Sequence, residues 1–441
     1  MKKLIYLVCF SVTITQSSFA NNIDLLFCVE AALLNNSEIR KARADFQAFK
    51  EIEDQSFSSL LPSIGISVSR SRVEQNRADG GSFSIKQNYI TESDAITLRQ
   101  PVYRPKLYKE FKKARQQVIA EELLLLNKED TLKMKVAEIY IKLLGAYEEE
   151  GLLAKRMRLL TEQKKAATKS IEAGRGTITE LAEINAASDK VYADLIRAKQ
   201  NIRLELNELQ FYTGEEIKEI KILNDDINDF SMFKEKSISK WEEEAVSNNY
   251  ELKSKKEMIS AAKIALSSEK LNRYPTVDLN VQMARGSSES TFFVDTETKS
   301  NTVGLTFFLP LYQGGSVSSK IRQSASRLES ELQGLRLQEE DIRKSVQRIY
   351  FGMLESIDLH DALKSAITSA MIELEATKKS TSAGVRKQLD VLISQQKALS
   401  VEREFIEAKL NILLYWLNLN MLKSDLNLEK IKIVNNFLIS D

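Results

Sequence analysis

Proline is nearly missing from this chain. The 441 residues hold five, Pro62, Pro101, Pro105, Pro275 and Pro310, so the tract between Pro105 and Pro275 and the tract from 311 to the end have none. Inside a helix proline removes a hydrogen bond and clashes with the preceding turn, at about 3 kcal/mol, so such tracts permit very long helices. Histidine occurs once, and His360 has no Cys or His companion at ligand spacing, which argues against a zinc site. There are two cysteines. Cys9 lies within the apolar amino end and Cys28 stands apart from it, so neither is placed as a lipid acceptor; one cysteine in the mature chain allows no intrachain disulfide, and Cys28 is expected as a small buried apolar residue.

An excess of one charge sign is missing too: 63 Lys and Arg face 62 Asp and Glu. With no basic patch interleaved with aromatics, nucleic acid is not expected as a partner. G-x-S-x-G, a glycine-rich phosphate loop and H-E-x-x-H are all absent, so the chain is expected to be no enzyme, with no cofactor and no metal. No segment beyond the amino end reaches the roughly 20 apolar residues of a membrane helix; Leu410–Leu422 comes nearest and carries Asn411, Asn418 and Asn420.

What is present begins with Lys2 and Lys3, an apolar run from Leu4 to Ile14 and the small-x-small site Ser18-Phe19-Ala20. That is the pattern of a secretory signal peptide over 1–20. An exported chain without apolar helices is either soluble or enters a membrane by another route.

The proline-free tracts carry helical patterning. Leu132, Val136, Ile139, Tyr140, Leu143, Leu144 and Tyr147 follow steps of three and four, one apolar stripe on a helix. A helix from about 106 to 173 would be roughly 100 Å long, too long for an ordinary domain but suited to a coiled coil or a tube.

The chain also repeats itself. "ALLNNSEIRKA" at 32–42 resembles "AVSNNYELKSK" at 245–255, Pro62 and Pro275 lie 213 apart, and Tyr140 and Tyr350, Gly174 and Gly384, and Glu180 and Asp390 lie 210 apart. The expected organisation is a first repeat over 21–214, with a β-hairpin about 63–103 and long helices about 106–173 and 177–212. A linker follows over 215–240. A second repeat over 241–420 has a hairpin about 276–311 and helices about 316–382 and 387–420, and 421–441 forms a tail.

Four short period-two runs, about 63–73, 94–103, 276–285 and 302–311, interrupt the helices. Val303, Leu305, Phe307, Leu309 and Leu311 mark one apolar face, whereas Arg70 and Arg72 spoil the corresponding face in the first half. Runs of this length suit either a half-buried hairpin packed on the helices or transmembrane strands. Export, the long-looped hairpins, and Tyr103 and Tyr312 at strand ends where an interfacial aromatic girdle would stand favour the second. Spanning barrels need at least about eight strands and lipid tolerates no open edge, so several chains must then share one barrel. The rival reading is an elongated periplasmic coiled-coil scaffold or adaptor with a soluble β-domain.

Taken in order and in duplicate, "CVEAALLNNSEI", "LLPSIGIS", "RYPTVDLN", "RQPVY", "LPLYQGG", "AGRGTITEL" and "AGVRKQLDVL" resemble the TolC family of outer-membrane efflux and secretion channels over essentially the whole mature chain. The resemblance implies a mainly α protein with a membrane β-barrel: a homotrimer whose 12-stranded barrel continues into a long α-helical coiled-coil barrel. It implies a place in the cell outer membrane, in contact with its lipids and spanning into the periplasm, as the exit duct of a tripartite efflux pump or type I secretion system. A periplasmic adaptor and an inner-membrane transporter would be its partners, with docking at the turns of Gly174, Gly176 and Gly384. Asp390 matches the first carboxylate of the family's pore constriction, Arg386 a tip arginine that links neighbouring helices, and Glu180 replaces a first-half aspartate. Ile393 and Thr381 stand where a second acid and a tyrosine occur in some members, so the gate matches only in part. The residues themselves leave other readings open: Glu180 closes a capping box begun by Thr177, and Asp390 is a solvated helix-face acid.

Overall fold

The computed structural model describes residues 23–438, leaving out 80–82, 175, 225–228, 235 and 291–292. The expected signal peptide lies outside the described residues. The chain runs through one order of elements twice. First come α1 (Leu25–Asn35), α2 (Ser37–Ser58), β1 (Ser63–Asp79), β2 (Phe83–Tyr103), α3 (Pro105–Glu172) and α4 (Ile178–Thr213). Then come α5 (Ile238–Asn248), α6 (Tyr250–Lys270), β3 (Thr276–Ser290), β4 (Phe293–Phe308), α7 (Ser316–Ser382) and α8 (Gln388–Leu422), with α9 (Leu428–Asn435) at the close. At 68 and 67 residues, α3 and α7 each extend about 100 Å. Pro105 opens α3 at its first turn, where a missing N–H costs nothing.

The paired asparagines of the repeat have a structural cause. Asn36 ends α1 in an extended conformation, and its side-chain oxygen accepts from the N–H groups of Glu38 and Ile39 to start α2. Its amide donates 3.3 Å to the carbonyl of Tyr212, near the end of α4. Asn249 does the same between α5 and α6: it accepts from the Leu252 N–H at 3.1 Å and donates 2.9 Å to the carbonyl of Leu422, the last residue of α8. One side chain thus satisfies a helix beginning and a helix end.

The main core is a belt around the middle of α3 and the last turns of α8, against which α1, α5, α9 and the linker pack. The amino end pairs with the linker through Ile23 and Ile220, and the linker with the carboxyl end through Leu223 and Leu438. The hydroxyl of fully buried Tyr140 lies 3.1 Å from the carbonyls of both Ile23 and Lys221, fixing these segments to α3. Cys28 is buried and free in this core, where burial pushes its thiol well up. His360 is buried between the rings of Phe405 and Phe230. Away from the belt, α3 with α4 and α7 with α8 form two helical hairpins. Small seams such as Leu160 with Val191, and Leu374 with Val391, hold them.

The strands form one antiparallel sheet in the order β1-β2-β3-β4, so the β2–β3 pair joins the two halves. At 15 to 21 residues they are longer than the ten-residue runs of the sequence reading, because the segments read as loops continue the hairpin ladders. Polar side chains support that continuation with cross-strand pairs such as Glu74–Lys86 and Arg285–Glu297. In the other direction β4 stops at Phe308 rather than 311, ahead of Pro310, which brings no N–H to a ladder. Among the described residues no helix is long and apolar enough to cross a membrane.

Candidate functional site

The pairing register assigns each strand residue to a face, because directly opposed residues project to the same side. Ile64, Leu98, Val281 and Val303 form one row, Ile66, Ile96 and Met283 the next, and Leu279 lies opposite Leu305. No helix covers this side: Ile66 is 75 % exposed, Val303 73 % and Phe307 64 %. A soluble hairpin domain packed on its helices would bury those side chains. The other face is small and polar, with rows such as Gly65, Thr97, Gln282 and Thr302. An apolar outside and a hydroxyl-rich inside are what a wall between hydrocarbon and water requires. Both outer strands, β1 and β4, keep one unpaired edge within the sheet.

Tyr103 and Tyr312 stand at the helix-side margin of the apolar face, 45 % and 87 % exposed. Tyr274, exposed at the entrance to β3, is a third aromatic at this level that the sequence reading did not single out.

On the polar face, where sheet meets helices, Asp278 is nearly buried. Its carboxylate accepts from Arg104 Nε at 2.7 Å and from a second guanidinium nitrogen of the same residue, and from Arg99 at 3.2 Å. Arg104 is the residue before α3, so this cluster ties the third strand of the sheet to the start of the first long helix. In the sequence Asp278 is an ordinary polar member of the alternating run at 276–285. The available signal was a lone acid among Asn280 and Gln282.

At the far end the two helical hairpins turn alike. Gly174 has φ +68° and Gly384 φ +76°, a left-handed conformation that glycine adopts without strain. The Gly176 N–H donates to the Ser170 carbonyl at 3.0 Å, and the Arg386 N–H to the Ser380 carbonyl at 3.4 Å, the same bond 210 residues later. A side chain at Gly176 would meet the Ile171 nitrogen at 2.9 Å, whereas the looser second turn accepts Arg386. Leu392 packs with Leu160 and Val191, which brings both turns to one end of the molecule.

The three residues expected at a gate lie at this end but are not bonded to one another within the chain. The Thr177 hydroxyl accepts from the Glu180 N–H at 3.2 Å, so Glu180 sits in a capped first turn. Asp390 also serves a helix start: its carboxylate accepts from the Lys387 N–H at 3.2 Å. Lysine has no acceptor to return, so only this half of a capping box forms. The Arg386 guanidinium reaches Thr377 of its own hairpin at 3.5 Å. Among the described residues no group of His, Cys, Asp and Glu is placed to hold a metal ion.

Comparison with known proteins agrees with this geometry. The family model of the outer membrane efflux protein matches residues 28–215 and 241–422. Proteases secretion protein PrtF of Dickeya chrysanthemi is 26 % identical over 92 % of this chain and 89 % of its own length. Outer membrane protein TolC of Escherichia coli (strain K12) is 24 % identical over 96 % of this chain and 86 % of its own. In fold, the chain superposes on the CmeC outer membrane channel of Campylobacter jejuni with a TM-score of 0.76 at 16 % identity, covering 94 % of this chain and 90 % of that one.

Proposed function

The chain belongs to the outer membrane efflux protein family, and from that premise we propose that three copies join edge to edge into a 12-stranded barrel continued by a tube of their long helices. The protein is an outer-membrane exit duct that extends into the periplasm, and its family is one of channels, not enzymes. One observation carries the trimeric barrel: a four-stranded sheet with an exposed apolar face and two long unpaired edges. In lipid such edges are untenable, and a second copy of the same sheet is the partner whose strand length and apolar height match them. Edge-to-edge closure of identical sheets is cyclic, and four strands per chain reach the minimum of about eight only with further copies.

The duct works passively. Its polar strand face is lined by Ser, Thr, Gly and Asn side chains, with charge gathered at the Asp278 cluster, so the barrel favours no sign of cargo along most of its height. Control is assigned to the opposite end. There Asp390 of three chains would form an acidic ring, attractive to cations, near the axis. Arg386 would exchange Thr377 for a neighbouring chain in the closed state, with Glu180 of the companion turn as one acceptor. The turns at Gly174, Gly176 and Gly384 present the surface on which a periplasmic adaptor docks, and an inner-membrane transporter supplies energy and chooses cargo. A relative named for protease secretion supports a type I secretion partner among the possible transporters.

The test is purification of the mature chain. A detergent-dependent, heat-dissociable trimer that conducts ions in planar bilayers supports the reading. A monomer released in plain buffer, with no conductance, overturns it.

A further inference from the structure

The apolar face of the sheet does not run the length of the strands. From Phe307 back to Val303 the alternate residues of β4 are apolar, and Leu309 and Leu311 prolong that pattern in sequence past the end of the strand. Asn301 comes next and then Lys299, about 21 Å above Phe307 at a typical tilt of about 40°, near the top of the ~25 Å apolar band of such barrels. Because the helices occupy the periplasm, this end of the strands points outward.

At that level the same face becomes charged. Val68, Asp94, Arg285 and Lys299 form the first row above Ile66, Ile96 and Met283, then come Arg70, Glu92, Ser287 and Glu297, and then Arg72 with Ile90. Arg70 lies 3.0 Å from Glu92 and 2.7 Å from Asp94. Glu297 lies 2.7 Å from Arg285 and 3.3 Å from Lys299. Arg72 donates to Asn88 at 3.0 Å. Four cations thus oppose three carboxylates, and all four cations are exposed. The opposite face at equal height has none of this charge: Ser69 with Ser93, Ser71 with Thr91, and Gly286 with Thr298. Water alone would be satisfied by charge on either face. Its confinement to the side continuous with the lipid-facing band identifies what lies against it.

We propose that Arg70, Arg72, Arg285 and Lys299 form a binding strip for the phosphorylated headgroups of lipids in the outward-facing leaflet, with Glu92, Asp94 and Glu297 holding the cations in place. This rests on the reading of the strands as a membrane-spanning wall. Guanidinium forks match phosphate oxygens, and basic groups at a membrane surface favour anionic lipid. The strip also sets the height of the barrel, because a ring of headgroup contacts resists vertical displacement that the apolar band alone would permit.

The experiment uses the mature full-length protein in phosphatidylcholine vesicles with and without phosphatidic acid, and measures phosphatidic acid retained on the protein after mild delipidation. Retention is expected for the wild type and is expected to fall with salt. It should drop about fivefold in Arg72→Gln, which breaks no ion pair of the ladder, and further in Arg70→Gln/Arg285→Gln/Lys299→Gln. Glu297→Gln, which breaks the ladder but removes negative charge, should raise it. Insertion with equal retention by wild type and Arg72→Gln, or a loss in Glu297→Gln like that of the cation variants, overturns the strip and leaves the wall intact. Failure of the wild type to insert in either vesicle overturns both.

Discussion

Asn36 and Asn249, 213 positions apart, perform one pair of tasks: each starts the second helix of its half and ties that start to the carbonyl end of its half's last long helix. Both are nearly buried. Asn249→Ala removes a cap worth about 1 kcal/mol and leaves the Leu422 carbonyl without its donor, for about 2 kcal/mol in all. Asn249→Ser keeps a capping acceptor and loses only the donor to Leu422, so its unfolding midpoint should fall between alanine and wild type. Equal midpoints for the two variants would contradict the double role.

Among the described residues Asp278 is the only carboxylate bonded to Arg104, whose pairing anchors the sheet to α3. Asp278→Asn should lower the temperature at which the detergent-solubilised oligomer dissociates, by the equivalent of about 2 kcal/mol, because two guanidinium groups lose their counter-charge. Arg104→Lys should lower it too, since an ammonium cannot reproduce the two-nitrogen contact. Unchanged gel mobility on heating in both variants would refute the anchor.

Asp390→Asn separates charge from capping. The amide oxygen still accepts from the Lys387 N–H, so folding should be unaffected, while cation selectivity in bilayer recordings should weaken. Wild-type selectivity in the variant would remove Asp390 from the constriction. Arg386→Ala should raise the basal conductance, and a conductance equal to wild type would count against its tethering role.

Acid should loosen the belt at Glu244. Burial pushes its carboxyl up, but the Lys236 hydrogen bond and the charge of Lys423 outweigh burial and hold it below its ordinary value of 4.5. A carboxyl depressed on folding stabilises the protein above that ordinary value, and the stabilisation is lost as pH falls through the depressed one. Glu244→Gln should therefore be less stable than wild type at neutral pH by about 1 kcal/mol, with the gap closing in acid. Thermal unfolding against pH measures this, and a gap that stays constant into acid would exclude the mechanism.

The long helices, the duplication and the family resemblance are all legible along the chain. Proline depletion and period-3.6 stripes are local properties, and the repeated asparagines and turn glycines meet the same local backbone demand in each half. Candidate gate residues were named through the family resemblance, but not their bonds: that Asp390 caps α8 depends on how the chain turns before it. Strand length was illegible, because polar segments follow a hairpin ladder by backbone pairing that composition does not encode. The place of Arg70 and Arg72 emerges only on folding. Along the chain they interrupt an apolar alternation; in the sheet they lie above its apolar rows, one and two rows beyond Arg285 and Lys299 from the other half. Register between strands some two hundred residues apart sets that level, and only the folded sheet contains it. The same holds for Asp278 and Arg104, which meet because β2 and β3 pair and not because anything near either residue requires it.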